Sequence, residues 1–143
     1  MDGQSALVTG ASSGIGAAVV RELAAAGCDV SLVARSEESL EALATEVTAE
    51  HDVETHVQSA DVRDAAAVEA AIKAAAERLG GLDVVVSNAG VGRGEGVADL
   101  TDEAYEAMME TNVDGSFYVA RAALRHLRAS AGNLVFVGSF AGQ

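Results

Sequence analysis

Three glycines with fixed spacing carry the clearest chemistry in this sequence. Thr9-Gly10-Ala11-Ser12-Ser13-Gly14-Ile15-Gly16 follows a short β-rich run and opens an apolar-periodic one. Gly10 lets the chain turn tightly as the strand ends. Gly14 lets backbone approach a ligand, and Gly16 lets helix and strand pack closely. The free amides of Ser12, Ser13, Gly14, Ile15 and Gly16 are then aimed at an anion, as a dinucleotide's diphosphate requires. The spacing is G-x-x-x-G-x-G. It is neither the commoner G-x-G-x-x-G nor a P-loop, which needs Gly-Lys-Ser/Thr. A glycine turn alone can be purely structural; the agreement of strand, turn and helix favours phosphate.

Alternating elements must position that turn. Ser5–Thr9, Val30–Ala34, Val53–Gln58, Leu82–Ser87 and Asn133–Val137 read as strands. The first helix spans Ile15–Ala26, with Ile15, Val19, Leu23 and Ala26 on its inner face. Ser36 and Asp64 cap the next two, which bury Leu40, Leu43 and Val47, then Val68, Ile72, Ala75 and Leu79. Thr101 caps one long helix running to Arg128, with Leu100 and Tyr105 placed as a hydrophobic staple. Strand–helix alternation implies an α/β fold with a parallel sheet and right-handed crossovers, in one domain over residues 1–143.

The segments that end the other strands supply further candidates. Asp61 ends the third, where its carboxylate can accept from an adenine amine or merely serve as a helix N-terminal charge. Asn88-Ala89-Gly90 puts a small, permissive backbone after the fourth, as a ribose neighbour, a turn, or both. Ala34-Arg35-Ser36 after the second offers no acidic residue for a ribose 2′-hydroxyl. Arg35 can grip a 2′-phosphate bidentately, favouring NADP over NAD, or can pair with Glu37 or Glu38. Gly92, Gly94 and Gly96 read as a flexible rim.

These segments, in order, resemble the short-chain dehydrogenase/reductase family in its non-extended form. The resemblance implies a Rossmann-type doubly wound sheet, truncated here after the fifth strand. It makes Asp61-Val62 the adenine contact and Asn88-Ala89-Gly90 the family's Asn-Asn-Ala-Gly segment, with Ser87 replacing the first Asn. It makes Asn112, in Asn112-Val113-x-Gly115, the helix-borne catalytic Asn, and Ser139, in Ser139-x-Ala141-Gly142, the catalytic Ser. In the family a Tyr, with a Lys four residues on, exchanges the proton while nicotinamide exchanges hydride with an alcohol or ketone. Here Tyr105 is followed at that spacing by Met109 and Tyr118 by Ala122, and the one lysine, Lys73, precedes both. The resemblance therefore implies the cofactor half of an oxidoreductase with Asn and Ser but no Tyr-Lys pair. A non-catalytic NADP-binding module or an inactive truncated product are the alternatives.

Composition bounds the rest. The chain has 143 residues, half of them apolar, and 22 acidic against 9 basic side chains, a net charge of −13. Such a surface repels nucleic acid and anionic membranes. It suits high salt, where screening shortens to about 3 Å at 1 M, or an ordinary acidic protein. The start lacks a charged-then-apolar leader, and no apolar run reaches membrane length, so the expectation is a cytoplasmic protein. Cys28, alone, reads as a small buried thiol. The fifth strand is expected to expose an apolar edge that a second chain could cover in a homo-oligomer.

Overall fold

A computed structural model describes residue 1 and residues 3–92, 94 and 96–139. Five parallel strands form one sheet: β1 (Ser5–Thr9), β2 (Asp29–Ala34), β3 (Thr55–Ser59), β4 (Val84–Ser87) and β5 (Asn133–Phe136). Their order is β3-β2-β1-β4-β5. The winding reverses between β1 and β4, so the crevice of a doubly wound sheet opens at the carboxyl ends of those two strands.

Two apolar layers sandwich the sheet, as side-chain alternation demands. On one face α1 (Gly14–Ala25) and α2 (Glu37–Glu50) pack Val20, Ala24, Leu40 and Val47 against Val8, Leu32 and Val86. On the other, α3 (Ala65–Leu79) and α5 (Gly115–Ser130) pack Val68, Ile72, Val119 and Leu127 against Leu7, Val33 and Val85. Asp64 caps α3 through the amides of Ala66 and Ala67 at 2.9 and 3.1 Å. Gly80 ends it with φ 75°, a left-handed conformation that glycine adopts without penalty.

Two expectations are corrected. The inner face of α1 is Gly16, Ala17, Val20 and Ala24, whereas Ile15 is 63% exposed. A Cβ at residue 16 would stand 2.1 Å from the Gly10 carbonyl oxygen. That contact admits only glycine, fixes which face turns inward, and rotates Ile15 outward. The long helix expected after Thr101 is also broken. It consists of α4 (Asp102–Met109), a π turn over Glu110–Asp114, and α5. The proposed staple leaves Tyr105 53% exposed.

β5 lies at the sheet margin with Val135, Phe136 and Val137 exposed, as its apolar sequence and edge position imply. Among the described residues no helix is long and apolar enough to cross a membrane. Cys28 is fully buried, and that burial, with Asp29 and Asp83 nearby, pushes its thiol up to about 11.

Two measurements check this packing. Val20→Ala should cost about 2 kcal/mol in urea denaturation, and Ile15→Ala no more than about 0.5 kcal/mol. Cys28 should resist a thiol reagent at pH 8 in the native protein and react freely once unfolded, because the thiolate is the reactive species.

Candidate functional site

β1 delivers the chain into a turn that β4 holds from beside. Gly10 takes φ 65°, and a Cβ there would lie 2.8 Å from Ala89 Cα. The side chain of Thr9, at the end of the buried strand, organises the junction. Its hydroxyl oxygen accepts from the amides of Asn88 and Ala89 at 3.0 and 3.2 Å. Asn88 Nδ2 then donates to the carbonyls of Thr9 and Gly10, at 3.0 and 3.2 Å. Asn88 thus lashes the first turn to the end of the central strand beside it. Asn88 and the glycines were legible as a motif; the part played by Thr9 was not, and its only sequence signal is a polar residue ending an apolar strand.

Beyond this junction the backbone faces outward. Ser12 is partly exposed, and Ser13, Gly14 and Ile15 are exposed. Ser13 is extended and its side chain leaves the helix uncapped. The first backbone bond into α1 is from Ala17 to the Ser13 carbonyl, at 3.2 Å. The amides of Gly14, Ile15 and Gly16 therefore have no acceptor further back in the helix. No acidic residue occupies the first turn of α1 to compete for them. Gly14 has φ 52° and open space around the position of a Cβ. A turn of this shape, at the positive end of a helix dipole, is suited to an anion.

Arg35 leaves β2 at the same end of the sheet, exposed, and forms no ion pair among the described residues. The pairing with Glu37 or Glu38 considered from sequence is not made. Past β3, Asp61 and Val62 diverge. The valine is only 7% exposed and belongs to the core under α3 and α5. The Asp61 carboxylate stays at the crevice side, gripped by Arg63 at 2.7 Å. That guanidinium holds its carboxyl below the usual range, with burial opposing and Arg35 adding weakly from a distance.

Asn112 sits in the π turn. Its Oδ1 accepts from the Val91 amide and its Nδ2 donates to the Val91 carbonyl, both at 2.8 Å. This two-point clamp holds the backbone immediately after Asn88-Ala89-Gly90. The side-chain amide is thus engaged with the loop, and the Asn112 carbonyl accepts from Ser116 Oγ at 2.8 Å. The buried hydroxyl of Ser87 lies 3.5 Å from that of Ser116. π turns inside α-helices recur at functional positions. Nothing in the sequence announced this one beyond a glycine, Gly115, in mid-helix.

Ser139 follows β5, exposed, at the carboxyl edge that also carries Asn88; Ala141 and Gly142 of its motif lie outside the described residues. The structure therefore brings Gly10, Ser12 to Gly16, Arg35, Asp61, Asn88, Ala89, Gly90, Asn112 and Ser139 to one end of the sheet. The opposite end is built differently, with Asp83 accepting from the Ser5 amide at 2.9 Å.

Comparison with known proteins agrees with this geometry. A family model described as short chain dehydrogenase matches residues 4–143. "Monensin polyketide synthase putative ketoacyl reductase" of Streptomyces virginiae is 47% identical over 83% of this chain and 45% of its own length. Versicolorin reductase of Emericella nidulans is 39% identical over 97% of this chain and 52% of its own. The chain spans about half the length of the curated relatives it matches. Among solved structures, an alcohol dehydrogenase from the archaeon Thermococcus sibiricus, complexed with 5-hydroxy-NADP, superposes with a TM-score of 0.90. It is 38% identical, over 93% of this chain and 57% of that one. A short chain dehydrogenase from Burkholderia cenocepacia in complex with NADP gives the same TM-score and identity, over 97% and 56%. With its sheet order, its glycine turn and its Asn88 and Asn112 clamps accounted for, the chain belongs to the short-chain dehydrogenase family.

Proposed function

We propose that this chain is the cofactor-holding part of an NADP-dependent oxidoreductase that interconverts an alcohol and a ketone. The observation that carries the reading is the uncapped start of α1, with Ser13, Gly14 and Ile15 exposed, at the strand-order reversal, with Arg35 free of ion pairs among the described residues at the same end of the sheet. Bound NADP supplies hydride exchange. The chain's own residues do the holding. Ser12, Ser13, Gly14, Ile15 and Gly16 present amides to the diphosphate. Arg35 takes the 2′-phosphate that distinguishes NADP from NAD, since no carboxylate at residues 34–36 repels it. Asp61 and the Val62 backbone flank adenine, and Asn88, Ala89 and Gly90 flank the nicotinamide ribose. Asn112 fixes the loop beside the reacting carbon, and Ser139 polarises the substrate oxygen.

A carbonyl reduction also needs a proton donor matched to the working pH. Tyr105 and Tyr118 each lack a lysine four residues on. The 143 residues therefore bind cofactor without turning it over. The substrate class, a small alcohol or ketone, follows the ketoacyl reductase, versicolorin reductase and alcohol dehydrogenase among the relatives. The buried free thiol of Cys28 suits a reducing compartment, and we place the protein in the cytoplasm. The charge of −13 suits a salt-rich one, where self-repulsion is screened.

Titration of the chain with NADPH, followed by cofactor fluorescence, should show saturable binding. Arg35→Glu should weaken it at least about tenfold while barely changing NADH binding, because one charge-assisted fork is lost and a repulsion gained. A flat titration of the wild type overturns the reading. Asn88→Ala, which frees the Gly10 turn, should lower both thermal stability and affinity. NADPH oxidation with small ketones by this chain alone would contradict the account of the missing proton donor. The thermal midpoint should rise between low and molar salt; a midpoint independent of salt contradicts the salt adaptation.

A further inference from the structure

The loop leaving β3 is held at three points that no motif announces. Arg63 turns back on Asp61, its Nε 3.1 Å from each carboxylate oxygen. One terminal nitrogen donates to Oδ2 at 2.7 Å, and the Arg63 amide donates to Oδ1 at 3.0 Å. The other terminal nitrogen lies 3.9 Å from Glu110 Oε2, at the first residue of the π turn. Between these, Val62 fills the space beside Gly115, where a Cβ would stand 2.8 Å from Val62 Cγ2. Residues 61–63 are thus docked on residues 110–115, the stretch that carries Asn112.

Resting on the nucleotide reading above, we infer that Arg63 is a positioning residue: it fixes the Asp61 carboxylate as an acceptor for an amino-purine and ties that acceptor to the Asn112 turn. An ionised carboxylate only accepts, in about four directions. Three donors of Arg63 make four contacts with it, two on each oxygen, Nε being shared between them, and the Asp61 side chain still stays about 30% exposed. The exposed side of this pinned carboxylate suits the exocyclic amine of adenine. A purine bearing a carbonyl at that position instead brings its lone pairs against the carboxylate.

The charges around Asp61 act in the same sense. Arg63 and, more weakly, Arg35 from the end of β2 hold its carboxyl below the usual range, while Glu110 acts on Arg63 from the π turn. A depressed carboxyl keeps its accepting form above the lowered value and loses it only as pH falls through that value. Removing Arg63 moves the loss to higher pH.

The test uses the full chain, with Arg63→Gln and Arg63→Lys, and two probes: NADP and its hypoxanthine counterpart, in which the adenine amine is a carbonyl. Wild type should prefer NADP. Arg63→Gln should weaken NADP about three- to tenfold and leave the hypoxanthine probe unchanged, shrinking the preference. In the ligand-free protein the Asp61 side-chain carbon signal should titrate at higher pH in Arg63→Gln. Hydrogen exchange of the Val91 amide, held by Asn112, should quicken. Arg63→Lys should restore the titration in part but not the preference, because an ammonium has no planar fork. NADP binding by wild type with a preference indifferent to Arg63→Gln overturns this inference alone, as does an Asp61 titration that the substitution leaves in place. A wild type that binds neither probe overturns the nucleotide reading and the amino-purine role with it.

Discussion

One side-chain amide bridges the two strands on which the molecule is wound. Asn88 Nδ2 reaches the carbonyls of Thr9 and Gly10, while Thr9 receives the Asn88 and Ala89 amides in return. This exchange closes the gap between β1 and β4 at the point where the sheet changes direction. The approach is close enough that residues 10 and 16 tolerate no side chain. It also satisfies the polar groups buried there, which would otherwise cost about 1–3 kcal/mol each. With the turn fixed from beneath, Ser13, Gly14 and Ile15 at the start of α1 remain exposed. The proposed anion site would thus be a consequence of packing.

The same economy extends along the crevice. Asn112 spends both ends of its side-chain amide on one residue, Val91, and so immobilises the loop that Asn88 begins. Asn112 lies within the π turn, whose extra residue rotates the helix that follows by about a third of a turn relative to an unbroken α-helix. Electrostatics are equally local. A chain of −13 is compatible with the proposed anion cradle, because fields from distant carboxylates fade over about 8 Å at physiological ionic strength. What decides is the uncapped start of α1, free of acidic residues in its first turn, together with Arg35.

Much of this was legible from residue order. Strand–helix alternation and the caps at Ser36 and Asp64 depend on local periodicity and turn chemistry, which a sequence displays openly, whereas the doubly wound order was implied by the family resemblance. The roles of Gly10 and Gly16 in the first turn could also be assigned, because each answers a close backbone approach, whereas Gly14 takes a positive φ with open space around it. The inner face of α1 could not. Hydrophobicity points to Ile15, yet a single backbone contact at Gly16 overrides it and turns Ile15 to solvent. Arg63 was invisible for a related reason. Two residues from Asp61 in a loop, its reach depends on backbone angles that no period encodes. The π turn leaves still less trace, since the residues Glu110 to Asp114 form an ordinary helix equally well.

The central claim is that the amides from Ser12 to Gly16 receive a diphosphate. Amide proton and nitrogen shifts of the ¹⁵N-labelled chain, followed through a titration with ADP-ribose, test it without any chemistry on the nicotinamide. The account predicts that the largest saturable changes fall on the amides of residues 12–16, with smaller ones at Asp61 and Ala89 and none at Ser5 or Asp83 across the sheet. Changes confined to other surfaces, or a spectrum indifferent to the ligand while the protein remains folded, would contradict it.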